Sequence, residues 1–281
     1  MIKTLFLGGG AMASALIGGL LQQPTQNKTI FVVDPDPQRR AALTAAFPGI
    51  RCFPVVSPDL LSDVDLLIFA VKPQQMYDTT QQVRTSIAHI PVALSIAAGV
   101  RTDTISRWLG GFSRLVRAMP NTPALVGAGI SAVYATPDVD DTGRQIVDEL
   151  LAAVGDVVWL DEEAKIDAMT AISGSGPAYV FYFLESLQDA AKTLGLPEEQ
   201  ARLIALSLFG GSVKLAQFDA RPFAQLRADV TSKGGTTEQA LQVLDAAGVK
   251  KVIGDAVAAA QIRAVELGAA MDASHLPSDN D

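Results

Sequence analysis

Residues 229 to 241 read DVTSKGGTTEQAL and set Ser232, Gly234, Gly235, Thr236 and Thr237 directly before a helical pattern. Residues of these types can present backbone N–H groups and hydroxyls to an anion, and the free N–H groups and dipole of the following helix favour negative charge. The chemistry such a loop offers is capture of a small carboxylate. The same residues also make a capped helix start, with Thr236 or Thr237 as N-cap and the glycines as turn residues. The loop alone does not separate the two readings.

A second set of candidates lies at the other end of the chain. Residues 3–7 read as a short apolar strand, and Gly8-Gly9-Gly10-Ala11-Met12-Ala13 follows at once, opening a helical run that ends near Gln22. This is the G-x-G-x-x-A form of a dinucleotide turn: Gly8 permits the bend, Gly10 lets the backbone approach a pyrophosphate, and Ala13 lets the helix pack closely on its strand. A second strand, residues 29–33, ends in Asp34, where an acidic group would meet the adenosine ribose. Glycines interrupt the apolar stretch and no small-residue cleavage site follows it, so we read it as strand, turn and helix rather than as a secretory signal.

Three further strand ends carry loops of suitable chemistry. Residues 66–70 run into Ala70-Val71-Lys72-Pro73, which puts a lysine where it could meet a ribose hydroxyl or a phosphate; a solvated lysine before a proline-initiated helix explains it too. Ile96-Ala97-Ala98-Gly99-Val100 is a small-residue loop against which a planar ring could lie, although tight packing would also account for it. Met119-Pro120-Asn121-Thr122-Pro123 fixes the chain with prolines and offers the Asn121 amide. Later, Ser173-Gly174-Ser175-Gly176-Pro177-Ala178-Tyr179 reads either as a cap and first helical turn or as further donors facing a substrate.

The elements that must position these residues change character near residue 160. Before it, short β-rich runs (66–70, 92–95, 115–119, 130–134, 157–160) alternate with helical ones, which implies a parallel, doubly wound α/β sheet with its ligand at the carboxyl ends of the strands. After it, residues 179–194, 198–216, 237–247 and 250–267 all show apolar residues at helical spacing. We therefore expect a dinucleotide-binding domain at 1–160, a helical domain at 161–272 and a disordered polar tail at 273–281. A net charge of −8 argues against nucleic acid or an anionic membrane as partner. One cysteine, Cys52, suits a reducing compartment and the cytoplasm, and with His89 and His275 it offers no cluster for a metal. With 49% hydrophobic and only 19% charged residues, the chain is apolar for a monomer and hints at subunit contacts.

GGGAMA, AVKP, SIAAGV, RAMPNTP, SGSGPAY and DVTSKGGTTEQAL, in this order and spacing, resemble the pyrroline-5-carboxylate reductase family over essentially the whole chain. The first motif is generic; the VTSKGGTT block with SGSGPAY upstream is close to diagnostic. The resemblance implies reduction of 1-pyrroline-5-carboxylate to L-proline with NAD(P)H, the last step of proline synthesis, in a Rossmann domain joined to a helical dimerisation domain, with dimers assembling up to a decamer. It assigns Leu7, Gly8, Gly9, Gly10, Ala11 and Met12 to the pyrophosphate turn, Asp34 and Ser57 to the adenosine side, and Lys72, Ala97 and Gly99 to the nicotinamide side. Ala70, Val71, Pro73, Ala98 and Asn121 accompany these as cofactor candidates. Gly235, Thr236 and Thr237 match the carboxylate-binding loop, joined by Asp229, Ser232 and Gly234, and Glu163 falls near a substrate-site acid. Reduction of a cyclic imine needs mainly orientation, because the nitrogen itself can carry the activating proton; Thr237 is then the key polar contact.

Two positions depart from the pattern. Asp229 stands where relatives often carry Asn. Asp34 would by itself favour NADH, but Arg39 and Arg40 can offset it, so we expect NADPH with NADH as the alternative. A β-hydroxyacid or 6-phosphogluconate type dehydrogenase is the competing enzyme; its catalytic lysine would be Lys165, whose neighbours Asp161, Glu162, Glu163 and Asp167 favour a solvated ion pair. A non-catalytic dinucleotide-binding scaffold would need no anion loop.

Overall fold

The apolar runs of the first half become one eight-stranded sheet in the computed structural model, which describes residues 2–23 and 28–273. Its strands are β1 (Ile2–Leu7), β2 (Lys28–Val33), β3 (Arg51–Phe53), β4 (Leu66–Phe69), β5 (Val92–Ser95), β6 (Leu115–Met119), β7 (Gly129–Ala135) and β8 (Gly155–Trp159), in the order β3-β2-β1-β4-β5-β6-β7-β8. The strand order reverses between β1 and β4, and all strands from β3 to β6 run parallel, so their carboxyl ends share one edge. A crevice at that switch point is where open sheets of this kind bind ligands.

Alternate strand residues feed two apolar layers. Phe6, Ile30, Val32, Ile68 and Leu94 face the helices α1 (Ala11–Gln22) and α2 (Pro37–Ala46), with Leu16 and Leu43 packed against them. Leu5, Leu7, Val33, Leu67 and Phe69 face the other side, toward α3 (Pro58–Leu61), α4 (Met76–Val83) and α5 (Thr102–Trp108). Because both faces are covered, the central strands need continuous apolar runs, which is the pattern the sequence shows. Local signals start the helices. Asp36 caps α2 by accepting the Gln38 N–H at 2.8 Å, with Pro37 in the first turn, and Asp140 caps α6 (Asp141–Ala152) through Gly143 N–H at 2.7 Å. Each such cap is worth about 1 kcal/mol.

The sheet is not wholly parallel: β7 runs antiparallel to β6. Residues 120–128 join the two through a single 3-10 turn, too short for the crossover that a parallel pair requires. β3 and the short helix between Pro222 and residue 230 carry too little periodicity to be read from sequence.

Two compact units make up the chain, one running to Ser175 and including the chain again from Ala260, the other being Gly176–Ala259. Residues 161–175, with α7 (Lys165–Met169), thus pack with the sheet rather than with the helices that follow, and so does the end of the last helix. Buried Arg117 of β6, 2% exposed, explains the first assignment: it pairs with Glu163 and with Asp167 of α7, both at 3.1 Å. Of the tail expected from residue 273, Ala273 closes the last helix, and residues 274–281, His275 among them, lie outside the described residues.

The second unit contains α8 (Gly176–Thr193), α9 (Glu198–Phe218), α10 (Phe223–Asp229), α11 (Thr236–Ala246) and the start of α12 (Val249–Ala273). Its only buried residues in α8 and α9 are Ala191, Ala201 and Ala205, while Phe181, Leu203, Val213, Phe223 and Val243 are exposed and Phe218 is 92% exposed. So many large apolar side chains on one helical unit mark an association surface. Among the described residues no single helix is long and apolar enough to cross a membrane.

Removing one partner of a buried ion pair leaves an uncompensated charge at about 3–5 kcal/mol. Arg117→Leu, which sets Glu163 and Asp167 facing each other unpaired, should lower unfolding free energy in urea by this amount, whereas Lys192→Leu, at an exposed pair, should change it by under about 1 kcal/mol.

Candidate functional site

Gly8 sits at φ +101°, and a Cβ there would come within 2.5 Å of the Ala70 carbonyl oxygen, so only glycine lets the chain turn between β1 and α1 this close to the end of β4. At Gly10 a Cβ would meet nothing within 4 Å: the space in front of the turn is open. The N–H groups of Ala11, Met12 and Ala13 lie in the first turn of α1 without intrahelical acceptors, no acidic residue stands in that turn, and Ala13 is buried against the sheet. An anion approaching the first turn of α1 meets donors and no acidic side chain of that turn.

The space in front is a cavity of about 690 Å³ in the first unit. Of the residues expected from sequence it brings together Leu7, Gly8, Gly10, Ala11, Asp34, Ala70, Val71 and Lys72. Gly9 lies beneath the turn, where a Cβ would strike Leu43 at 2.5 Å, and Met12 packs on the apolar layer. Pro73 and Ser57 do not line the cavity; each stands at a helical start. Ala97, Ala98 and Gly99 form the next loop along the same edge, after β5, with Ala97 buried, Ala98 exposed and Gly99 at φ +77°.

Asp34 makes contacts with the protein itself that the expectation did not include. Its carboxylate is 1% exposed and turned inward: Oδ2 accepts the Gly9 N–H at 2.8 Å and the Arg39 guanidinium at 3.2 Å, while Oδ1 accepts the Asp36 N–H at 2.9 Å. With three of about four acceptor positions taken, little is left for a ribose diol. Arg39, half-exposed, lines the cavity beside it and neutralises its charge, and Arg40 is held by the Asp34 and Pro35 carbonyls. Asn121 is also committed. Its amide donates to the Ser173 carbonyl at 3.0 Å and accepts the Ile130 N–H at 2.9 Å, so it braces the end of β6 against the π turn at Thr170–Gly174 instead of offering a free amide.

Glu163, expected near the substrate, accepts the Thr102 N–H at 2.8 Å, the Thr102 hydroxyl at 2.6 Å and Arg117 at 3.1 Å. Both of its oxygens thus accept from the protein's own donors, which take three of about four acceptor positions. Lys165 is 48% exposed and paired with Asp161 at 2.6 Å, whose carboxylate holds the ammonium above the ordinary lysine value; that is the opposite of what a lysine acting as a base needs. His89 bonds the Leu61 carbonyl at 2.8 Å.

In the second unit, the helix after the loop, α11, is capped by Gly235, one residue before Thr236 and two before Thr237, rather than by either threonine. Thr236 and Thr237 occupy the first turn of α11, and Gly234 takes φ +75°. Glu238 reaches back to accept the Gly234 N–H at 2.7 Å, which shapes the loop and leaves the first-turn N–H groups of Thr236 and Thr237 without intrahelical acceptors. Ser232 and Lys233 are exposed beside them. Asp229 is paired with Arg221 at 2.8 Å, which offsets its negative charge close to the loop.

The polar face of α4 and its approach, where Gln75, Asp78, Thr79 and Gln82 line the cavity, is not among the residues expected from sequence. Their spacing of three to four residues right after Lys72 was the available signal. Arg117 was legible as a lone charge inside an apolar strand, though not its partners.

Residues 163–267 match the family model described as pyrroline-5-carboxylate reductase dimerisation, and residues 3–99 match that described as NADP oxidoreductase coenzyme F420-dependent. The pyrroline-5-carboxylate reductase of Pseudomonas aeruginosa is 38% identical over 267 residues, covering 94% of this chain and 96% of that relative. The chain belongs to the pyrroline-5-carboxylate reductase family. A solved member from Coxiella burnetii superposes with a TM-score of 0.87 at 35% identity, covering 94% of this chain and 97% of the other. The Plasmodium falciparum pyrroline carboxylate reductase, solved with NADP bound, gives 0.83 at 29% identity, covering 95% and 98%. The family thus accounts for both the doubly wound sheet and the helical unit.

Gly8→Ala should test the turn directly. Strain of about 1–3 kcal/mol at a positive φ, added to the clash with Ala70, should lower thermal stability and reduce binding of NADPH below detection in a titration that saturates the unaltered protein.

Proposed function

We propose that this protein reduces 1-pyrroline-5-carboxylate to L-proline with NADPH, the last step of proline biosynthesis. The observation that carries the reading is the pairing, in a chain of this family, of a dinucleotide turn facing open space with a second helix start whose N–H groups are free for a carboxylate.

The residues divide the work as follows. The first-turn N–H groups of α1 hold a pyrophosphate, Lys72 stands at the mouth of the same cavity, and the small side chains of Ala97 and Ala98 leave room for a flat ring. Arg39 supports NADPH over NADH: it offers a guanidinium at the cavity wall, a partner for a 2′-phosphate, while Asp34 is turned away from a ribose diol. When bound, the reduced nicotinamide supplies the hydride. Thr236 and Thr237 N–H groups, with exposed Lys233, orient the substrate carboxylate, and the Thr237 hydroxyl contacts the imine nitrogen or that carboxylate. The imine nitrogen carries the proton that makes its carbon electrophilic, so hydride addition gives the ring amine without a separate proton donor. Neither His89, bonded to a carbonyl, nor Lys165, held as a charged pair, is asked for one.

The exposed apolar residues of α8 and α9 support a homodimer built on the helical unit, and we take a decamer as the larger assembly. The net charge of −8 supports a molecule with neither nucleic acid nor membrane as partner, and the free Cys52 supports a cytoplasmic address.

Loss of 340 nm absorbance on mixing the protein, NADPH and pyrroline-5-carboxylate is the deciding measurement; silence there with turnover of a hydroxyacid panel would move the chemistry to Lys165. Thr237→Ala should lower kcat/KM for the imine about 10- to 100-fold, the loss expected of a hydrogen bond to a charged group, with NADPH affinity unchanged. Arg39→Ala should weaken NADP⁺ binding about tenfold more than NAD⁺ binding, because loss of the Asp34 pair acts on both cofactors and loss of the 2′-phosphate partner on one, narrowing the preference between the two.

A further inference from the structure

The loop after β5, residues 96–101, is clamped from two sides within the first unit. On its downstream side Glu163 grips Thr102 at two points, accepting its backbone N–H at 2.8 Å and its hydroxyl at 2.6 Å. Glu163 is itself aimed by Arg117 Nη1 at 3.1 Å, and Arg117 is fixed through Nη2 by Asp167 at 3.1 Å. On the other side Gly268 of α12 lies against Gly99, so close that a Cβ on Gly268 would stand 3.2 Å from the Gly99 carbonyl oxygen, and Asp272 accepts the Thr104 hydroxyl.

We infer that Glu163 is a positioning residue: its carboxylate sets the backbone of residues 97–99 through Thr102, and it does not ligate the substrate. The inference rests on the cofactor reading above, in which that loop serves the nicotinamide half. A buried ionic cluster adds little stability over an apolar pair of the same volume. What this one adds is direction, because two acceptor oxygens fix one residue's amide and hydroxyl together. Thr102 is the first residue of α5, so turning its amide turns the loop that enters the helix. The adenosine side is independent. Gly8, Asp34 and Arg39 sit at the ends of β1 and β2, and none of their hydrogen bonds runs to Thr102, Glu163, Arg117 or Asp167. Loosening the clamp should therefore misplace one half of the dinucleotide and spare the other; a misplacement of about 1 Å is enough to matter in such sites.

The test titrates the full-length protein with NADPH and with 2′-phospho-ADP-ribose, which lacks the nicotinamide, using unaltered protein, Glu163→Gln, Thr102→Val and the double variant. Thr102→Val leaves both Arg117 pairs in place, so it guards against a general loss of fold. Each single variant should weaken NADPH binding about tenfold while the fragment binds within about twofold of normal, and the double variant should be no worse than either alone, as for residues acting through one contact. Equal weakening of the fragment, or unchanged NADPH affinity in Thr102→Val, overturns the inference. So does a Glu163→Gln protein that binds NADPH normally and raises only the KM for the imine, since Glu163 would then be a substrate ligand. Failure of the unaltered protein to bind NADPH at all would instead remove the cofactor reading, and this inference with it.

Discussion

The carboxyl edge of the sheet depends on one buried carboxylate. Asp34 closes β2, yet it receives the Gly9 amide from the turn after β1, the Asp36 amide from its own loop and the Arg39 guanidinium from α2. A carboxylate removed from water is costly unless several donors replace its hydration, and charge-assisted bonds of this kind are about twice as strong as neutral ones. Because the donors come from three different segments, satisfying Asp34 fixes the position of all three. The glycine turn consequently has its shape before any ligand arrives, and α1 presents its free N–H groups to a space already open.

In the proposed function a second helix start receives an anion, and it is built by a different device. At α1 nothing acidic stands in the first turn, so the donors face outward unopposed. At α11 the loop is folded around its own acid, Glu238, which occupies the Gly234 N–H. A carboxylate arriving at that loop is left with the N–H groups of Thr236 and Thr237, and its approach is restricted to the side that Glu238 does not fill. The arrangement favours a ligand of defined orientation, which is what hydride delivery to one carbon requires.

Much of this was legible in sequence because it is local. The central strands are continuous apolar runs, the glycine turn follows β1 without a gap, and the anion loop directly precedes the periodicity of α11. Direction was harder to read than position. Asp34 stands where the spacing put it, but whether it faces ribose or the turn is decided by the Gly9 amide, 25 residues away in the chain. Glu163 was read near a substrate, and its contacts to the protein itself were not foreseen for the same reason: its partners Arg117 and Thr102 lie 46 and 61 residues earlier. The reversed strand β7 follows from a connection too short for a crossover, a matter of chain length and not of residue type. The expected division at residue 160 followed the end of the β-rich pattern, whereas Arg117 draws residues 161–175 back to the sheet through charge, which periodicity does not register.

The helical unit, with three alanines as the only buried residues of its two longest complete helices and Phe218 almost wholly in solvent, has a thermodynamic consequence. A surface that is covered only when another copy is present ties folding to mass action: the folded state gains free energy as the logarithm of protomer concentration. Dilution then acts on this protein as a denaturant does, loosening the helices first while the doubly wound sheet, whose apolar layers are complete within one chain, holds its shape.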